Sequence, residues 1–118
     1  FLPTGPEALC GSTRMKAGTA TKMALNIIST GAMALCGKMY GNLMVDVKPT
    51  NKKLVARATR LIAQIAGADP QTAGQYLAQS GNQVKVAIVM LKKQLDRPRA
   101  ARLLKKANGF LAEALDEN

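Results

Sequence analysis

The chain has 118 residues, enough for one small domain or for one subdomain attached to a helical arm. Hydrophobic residues make up 47% of it but aromatic residues only 3%, so the core must be aliphatic, and this composition predicts an all-α fold. The net charge is +10 and the sequence contains no histidine, which excludes Ser-His-Asp sites, Cys-His sites and histidine-based metal sites within this chain.

The first predicted element is a long helix preceded by a loop. Prolines and glycines within residues 1–11 predict the loop, Ser12 or Thr13 offers a hydroxyl to cap the helix, and the helical pattern runs to about Cys36. Its apolar positions are dense rather than one-sided, which indicates burial on several sides against layers outside this chain. The start at Phe1, without an initiator methionine, suggests a piece of a longer protein.

A short connection and a second helix follow. The run Leu43–Val47 has strand propensity but no partner that the sequence reveals, so an extended linker or a helical turn is favoured there. Thr50 or Asn51 then caps a helix with one apolar and one basic face, and Gly67 ends it.

The rest of the chain predicts three short helices at close intervals. Asp69 caps the first, with Pro70 at its first helical position. Asn82 caps the second helix and Asp96 caps the third. With a terminal turn, residues 68–115 form a predicted three-helix unit near the lower size limit for independent folding.

The distribution of charge and cysteine limits the expected partners. Twelve of the 17 basic residues lie within 50–118, on predicted solvated helix faces, and the aromatic stacking groups of a nucleic-acid binder are too few, so no nucleic-acid partner is expected. Cys10 and Cys36 lack zinc-ligand spacing, which predicts a reduced cytosolic protein without a metal site. No apolar run approaches the ~18 residues of a membrane span, so no membrane partner is expected.

The segment with the most chemical information is Gly5–Lys22, which reads GPEALCGSTRMKAGTATK. It delivers Ser12, Thr13, Arg14 and Lys16 to the predicted N-terminus of the long helix. Backbone N–H groups, hydroxyls and two cations at one helix start can bind an anion. A capped helix with two solvated bases accounts for the pattern about as well, so both interpretations remain open.

The same segment resembles the signature shared by the N-acetylmuramic acid 6-phosphate etherases and the glucokinase regulatory protein. The likeness is densest over residues 5–54, and on that ground the chain is identified as a member of this sugar isomerase-like family. The unbroken signature and the run NLMVDV favour the etherases over the regulator. Further matching runs are Leu25-Asn26, Ser29–Met33 and Tyr40–Val47.

The resemblance implies a particular domain organisation. Residues 1–49 would end a sugar isomerase domain, as a loop and a long helix. Residues 50–67 would be a connecting helix, and residues 68–118 a three-helix bundle similar to ubiquitin-associated domains. The family likeness further implies a cytoplasmic homodimer.

The resemblance also implies an activity for the whole protein. It would be a carbon–oxygen lyase that cleaves the D-lactyl ether of N-acetylmuramic acid 6-phosphate, giving N-acetylglucosamine 6-phosphate and D-lactate, without a cofactor. The family's catalytic acid and base are two glutamates further upstream, and no position here matches them. The chain is therefore expected to hold no catalytic residue and to be inactive alone.

The phosphosugar substrate is expected to meet an edge formed by Glu7, Ser12, Thr13, Arg14 and Lys16. Arg14 or Lys16 would face the sugar phosphate or the lactate carboxylate. Alternatively, Arg14 and Glu7 form an ion pair that only fixes the conformation of the loop. The alternative function is a non-catalytic, phosphosugar-binding regulatory module like the glucokinase regulatory protein.

Overall fold

The computed structural model describes residues 1–11 and 13–116, and most of these residues are helical. The chain divides into two compact units, Phe1–Leu35 and Cys36–Asn118. Six helices and one hairpin of two-residue strands make up the regular structure of the described residues, which confirms the predicted all-α class. Among the helices described, none is both long and apolar enough to cross a membrane.

The first unit is a loop followed by helix α1, Met15–Leu35, close to the predicted bounds. None of its 21 residues is buried. Large apolar side chains are therefore exposed around the whole helix, as expected for a helix that other layers would cover. The exposed ones are Met15, Met23, Leu25, Ile27, Ile28, Met33 and Leu35.

The second unit begins with a small antiparallel hairpin, and here the predicted linker or helical turn is wrong. Strand β1, Met39–Tyr40, pairs with β2, Leu43–Met44, so the partner of the second strand lies just upstream in the chain. Gly41, with φ 57°, provides the left-handed backbone that the two-residue turn requires. The hairpin ends with a hydrogen bond from Val45 N to Lys38 O of 3.0 Å, and Val45 is fully buried.

Helices α2, Lys52–Ala66, and α3, Pro70–Gln79, begin at the predicted caps, and α2 ends at the predicted glycine. The side chain of Asn51 accepts a hydrogen bond from Leu54 N, and that of Asp69 accepts one from Thr72 N. Both carboxamide and carboxylate caps satisfy an amide that the helix itself leaves unpaired. Gly67 ends α2 in the left-handed conformation.

Helix α4, Val84–Lys93, lies at the centre of the second unit, since it contacts α2, α3, α5 (Arg97–Lys106) and α6 (Leu111–Asp116). Six of its ten residues are buried, which explains why its polar residues are confined to its ends and to Lys85. The predicted cap of α5, Asp96, is confirmed by a hydrogen bond from Arg99 N of 2.9 Å.

The predicted cap of α4 is wrong. Asn82 has φ 61° and lies one residue too early, and the capping position is held by Gln83, whose side chain makes no capping bond. The buried hydroxyl of Ser80 instead accepts a hydrogen bond from Gln83 N at 3.1 Å and donates one to Leu77 O at 2.7 Å. A serine from the preceding turn thus orders the approach to α4.

The second unit is larger than the three-helix segment that the sequence predicts. Helix α2, expected as a connection over 50–67, packs against α3 and α4, with Ala58 and Ile62 fully buried. Val45, which directly follows strand β2, belongs to the same core. One apolar cluster therefore holds together hairpin and helices from Cys36 onward.

Candidate functional site

Glu7 caps the long helix from a distance. Its carboxylate oxygens accept hydrogen bonds from Lys16 N at 3.0 Å and from Ala17 N at 3.1 Å, two of the amides that α1 leaves unpaired in its first turn. These backbone hydrogen bonds, helped by the positive charge of Lys16, lower the pKa of the Glu7 carboxyl below its ordinary value of 4.5. Glu7 is thus an ionised carboxylate at neutral pH, which suits it poorly to donate a proton.

The side chain of Lys16 also contacts this loop. Its ammonium Nζ donates a hydrogen bond to Pro6 O at 3.0 Å. The side chain of Glu7 therefore contacts the backbone of Lys16, while the side chain of Lys16 contacts the backbone of the residue before Glu7. This reciprocal arrangement closes a loop of about ten residues onto the start of α1.

Of the two predicted hydroxyl caps, Thr13 does not take that role. The hydroxyl of Thr13 donates a hydrogen bond to Leu9 O at 3.1 Å, inside the loop, and the helix amides of Lys16 and Ala17 go to Glu7. Ser12, the other predicted cap and a predicted substrate contact, lies outside the described residues. A glutamate nine residues before its partner is not a cap that short-range sequence patterns reveal.

Arg14 is exposed at the junction of loop and helix. Its carbonyl accepts a hydrogen bond from Gly18 N at 2.8 Å, which begins the helical ladder. Within residues 1–11 and 13–116, no hydrogen bond or ion pair engages its guanidinium and no ion pair joins it to Glu7. The alternative in which Arg14 pairs with Glu7 is therefore not the arrangement seen.

Beside this junction lies an open depression lined by Thr4, Met15, Lys16 and Thr19. Its walls are mainly apolar stems and hydroxyl-bearing side chains, so it resembles the rim of a pocket more than an enclosed site. The described residues contain no cluster of three or more acidic or cysteine side chains that could hold a metal ion.

The second unit holds a narrower groove that the sequence did not suggest. It has a volume of about 180 Å³ and runs between the extended segment 45–48 and the start of α4. Beside it, Lys85 Nζ donates hydrogen bonds to Gly109 O at 2.9 Å and to Gly37 O at 3.2 Å. These partners are far from Lys85 in the sequence, so only the tertiary fold could reveal them.

Comparison with known proteins identifies one family model and several curated proteins that this chain resembles. Residues 41–96 match the family model for the C-terminal lid domain of glucokinase regulatory protein. Three similar curated proteins are each named N-acetylmuramic acid 6-phosphate etherase. Those from Exiguobacterium sp. and Oenococcus oeni are 54% and 49% identical over 97% and 98% of this chain. That from Clostridium botulinum is 50% identical over 96%.

The match covers only part of those relatives. The chain spans 39% of the Exiguobacterium and Oenococcus proteins and 37% of the Clostridium protein. About half of the residues are identical over nearly all of the chain, so the likeness to these relatives extends across both compact units, whereas the lid-domain match lies within the second unit. Over nearly all of its length, the chain is therefore similar to one part of the N-acetylmuramic acid 6-phosphate etherases.

Proposed function

We propose that the protein to which this chain belongs cleaves the D-lactyl ether of N-acetylmuramic acid 6-phosphate, releasing N-acetylglucosamine 6-phosphate and D-lactate. The observation that carries the proposal is the identity of 49–54% to proteins named for this activity, over nearly the whole chain. In such an elimination, a base removes the proton beside the aldehyde of the open-chain sugar, lactate departs, and water then adds.

Within that protein, the first unit would complete a sugar isomerase domain. Two features support this role. The large apolar side chains of α1 are exposed, as on a helix whose covering layers belong to the rest of the domain. The loop before α1 also presents cationic and hydroxyl groups, which suit a substrate with a phosphate and a carboxylate.

The proposed substrate-lining residues are Glu7, Ser12, Thr13, Arg14 and Lys16. Arg14 is the best placed of them to contact an anion, because it is exposed and its guanidinium meets no acceptor in the described residues. Glu7 is a poor candidate for the catalytic acid because its pKa is lowered. As the family resemblance implies, the acid and base would come from the part of the protein upstream of this chain, without a cofactor.

The remaining proposals concern the assembly and its location. Residues 68–118 would form a bundle similar to ubiquitin-associated domains, and the whole protein would be a cytoplasmic homodimer. The three short helices α3, α4 and α5 around a common core support the first of these.

A regulatory module is the second candidate function. The match of residues 41–96 to the lid domain of glucokinase regulatory protein favours it, because that protein is named for regulation. A regulator of this kind would bind a phosphosugar and release no D-lactate.

Purified full-length protein incubated with N-acetylmuramic acid 6-phosphate distinguishes the two. We expect stoichiometric formation of D-lactate and N-acetylglucosamine 6-phosphate, measured by a coupled D-lactate assay and by mass spectrometry. Binding of the substrate without release of D-lactate would replace the lyase by the regulatory module. The 118-residue chain alone is expected to release none, and D-lactate formation by it would place the acid and base within these residues.

A further inference from the structure

The turn between α5 and α6 contains a dipeptide with a reactivity of its own. Asn108-Gly109 is the one Asn-Gly pair in the sequence. The backbone nitrogen of the glycine in such a pair can attack the side-chain carbonyl of the asparagine, and it does so readily because glycine has no Cβ to obstruct ring closure. The Asn108 carboxamide is exposed, and it has no hydrogen-bond partner within the described part of the chain.

We propose that Asn108 is a site of deamidation, and that the hydrogen bonds of this turn, together with the Lys85 ammonium, suppress the reaction while the second unit is folded. Gly109 N loses its proton and forms a bond to Asn108 Cγ, the Cγ–Nδ2 bond breaks, and ammonia leaves. Water then opens the cyclic imide at either carbonyl, which gives aspartate or isoaspartate at position 108. Water is the only co-reactant, and the inference does not depend on the proposed function.

The folded turn holds the attacking nitrogen away from the carboxamide. Gly109 N donates a hydrogen bond to Leu104 O at 2.9 Å, and Asn108 N donates one to Lys105 O at 3.1 Å. Asn108 is also fixed in the left-handed region, with φ 51°. For the ring to close, Gly109 N must leave Leu104 O and the backbone of Asn108 must rotate. The turn therefore has to open before the modification can occur.

The side chain of Lys85 makes this opening less frequent. Its ammonium donates hydrogen bonds to Gly109 O at 2.9 Å and to Gly37 O at 3.2 Å, so the turn is tied both to the central helix α4 and to the start of the second unit. A hydrogen bond from a charged donor stabilises more than one between neutral groups. Because the turn must open first, the rate of deamidation should follow the free energy of local opening.

The isoaspartate product would not fit the same turn. Its main chain runs through the former side chain and is one carbon longer, so the bond from Gly109 N to Leu104 O cannot keep its geometry. Helix α6 follows directly, and its residues Leu111 and Ala114 are fully buried. Modification should therefore loosen α6 from α4. The asparagine is not regenerated, since the ammonia has left.

The test incubates the 118-residue chain at mildly alkaline pH, folded or in urea, and follows position 108 by peptide mass spectrometry. Deamidation adds about one dalton, and isoaspartyl and aspartyl peptides separate by chromatography. The folded chain should react at least roughly tenfold more slowly than the unfolded chain. Asn82 is an internal control, because it is exposed and has φ 61° but precedes Gln83 instead of a glycine. It should stay unmodified in both conditions.

Three variants test the role of Lys85. Lys85→Met should speed the reaction of the folded chain roughly tenfold or more and leave the rate in urea unchanged. Lys92→Met, which removes a positive charge from the exposed end of α4, should change neither rate. Ile62→Ala removes a fully buried side chain from α2 and destabilises the whole unit. It should change the rate in the folded chain by less than about twofold if the turn opens locally.

The isoaspartyl chain, separated by ion exchange, should unfold at lower urea concentration and exchange its amide hydrogens faster over residues 107–116. Absence of modification in urea would rule out the site, and equal rates in the folded and unfolded wild-type chain would rule out protection by the turn. Neither comparison needs a variant that folds. Equal acceleration by Ile62→Ala and Lys85→Met would show that the whole unit must unfold first, which would overturn the role of Lys85.

Discussion

Gly37 and Gly109 meet backbone to backbone, one just before the hairpin and the other at the turn between α5 and α6. A side-chain carbon on Gly37 would lie 3.1 Å from Gly109 O and 3.3 Å from the ring of Phe110. Lys85 joins the same two residues, because its ammonium donates hydrogen bonds to both carbonyls. Three segments far apart in the sequence therefore meet at this junction, where the second unit begins.

The first prediction concerns Gly37→Ala. The residue has φ 65°, which costs an alanine about 1–2 kcal/mol, and the added methyl would crowd the Gly109 backbone for roughly a further 1–3 kcal/mol. Gly67→Ala is the matched control, since Gly67 has φ 69° with nothing within 4 Å of the added carbon. Urea denaturation of the chain should show the larger loss of unfolding free energy for Gly37→Ala. Equal losses for the two variants would mean that the added methyl group of Gly37→Ala fits next to Gly109 without strain.

The second prediction concerns the ammonium in the same junction. Lys85→Met removes two hydrogen bonds from a charged donor and leaves two carbonyls of the junction without that partner, so the unfolding free energy should fall by about 1.5–3 kcal/mol. Lys92→Met, an exposed lysine at the end of the same helix, should change it by less than about 0.5 kcal/mol. Hydrogen exchange should quicken near residues 37 and 109 in the first variant only. If Lys85→Met and Lys92→Met have the same unfolding free energy, the hydrogen bonds of the Lys85 ammonium contribute nothing to stability.

Much of the second unit could be predicted from its sequence, because its helix ends carry short-range signals. Asn51, Asp69 and Asp96 each cap the helix expected of them, and Gly67 ends α2. The hairpin could not be predicted, because strands of two residues are shorter than any periodic pattern. The Asn82 cap failed because a buried serine, Ser80, satisfies the neighbouring amide instead.

In the candidate site, too, the features set by neighbouring residues could be predicted and those set by contacts between distant residues could not. Its residues are adjacent in the sequence, so the segment before α1 could be recognised directly. Their roles depend on contacts over nine or ten positions, such as Glu7 to Lys16, and a motif does not say which of two neighbouring cations a loop will engage. The same limit applies to Lys85, whose partners Gly37 and Gly109 lie 48 and 24 positions away in the sequence.

The third prediction concerns pH and Asp69. The carboxylate caps α3 and accepts a hydrogen bond from the Thr72 hydroxyl at 2.6 Å, and this bond together with that from Thr72 N lowers its pKa below the ordinary value of 3.8. As the pH falls, the Asp69 carboxylate becomes protonated at a higher pH in the unfolded chain than in the folded chain. The ionised carboxylate therefore stabilises the fold above about pH 4, and this contribution is lost as the pH falls through the lowered pKa. Protonation of Asp69 should therefore by itself lower the free energy of unfolding on acidification.

Asp69→Asn isolates the effect, since asparagine keeps a capping oxygen but does not titrate. Melting temperatures of the two proteins should differ most near neutral pH and converge as the pH falls below about 4. Thr72→Val, which removes the hydroxyl donor, should reduce the same pH dependence. A constant difference across this range would show that the Asp69 carboxylate is not stabilised by folding.

The fourth prediction concerns the exposed apolar side chains of α1. Ile27 and Ile28 are 69% and 67% exposed, so the isolated chain should self-associate in order to bury them, with an apparent mass that rises with concentration in light scattering. Ile27→Lys with Ile28→Lys should shift the protein towards monomer, because it removes apolar surface and adds repulsion. Gln64→Lys with Gln79→Lys adds the same two charges at exposed positions of α2 and α3 and controls for repulsion alone. A wild-type chain that stays monomeric at high concentration, or a control pair that dissociates the chain equally well, would contradict association through α1.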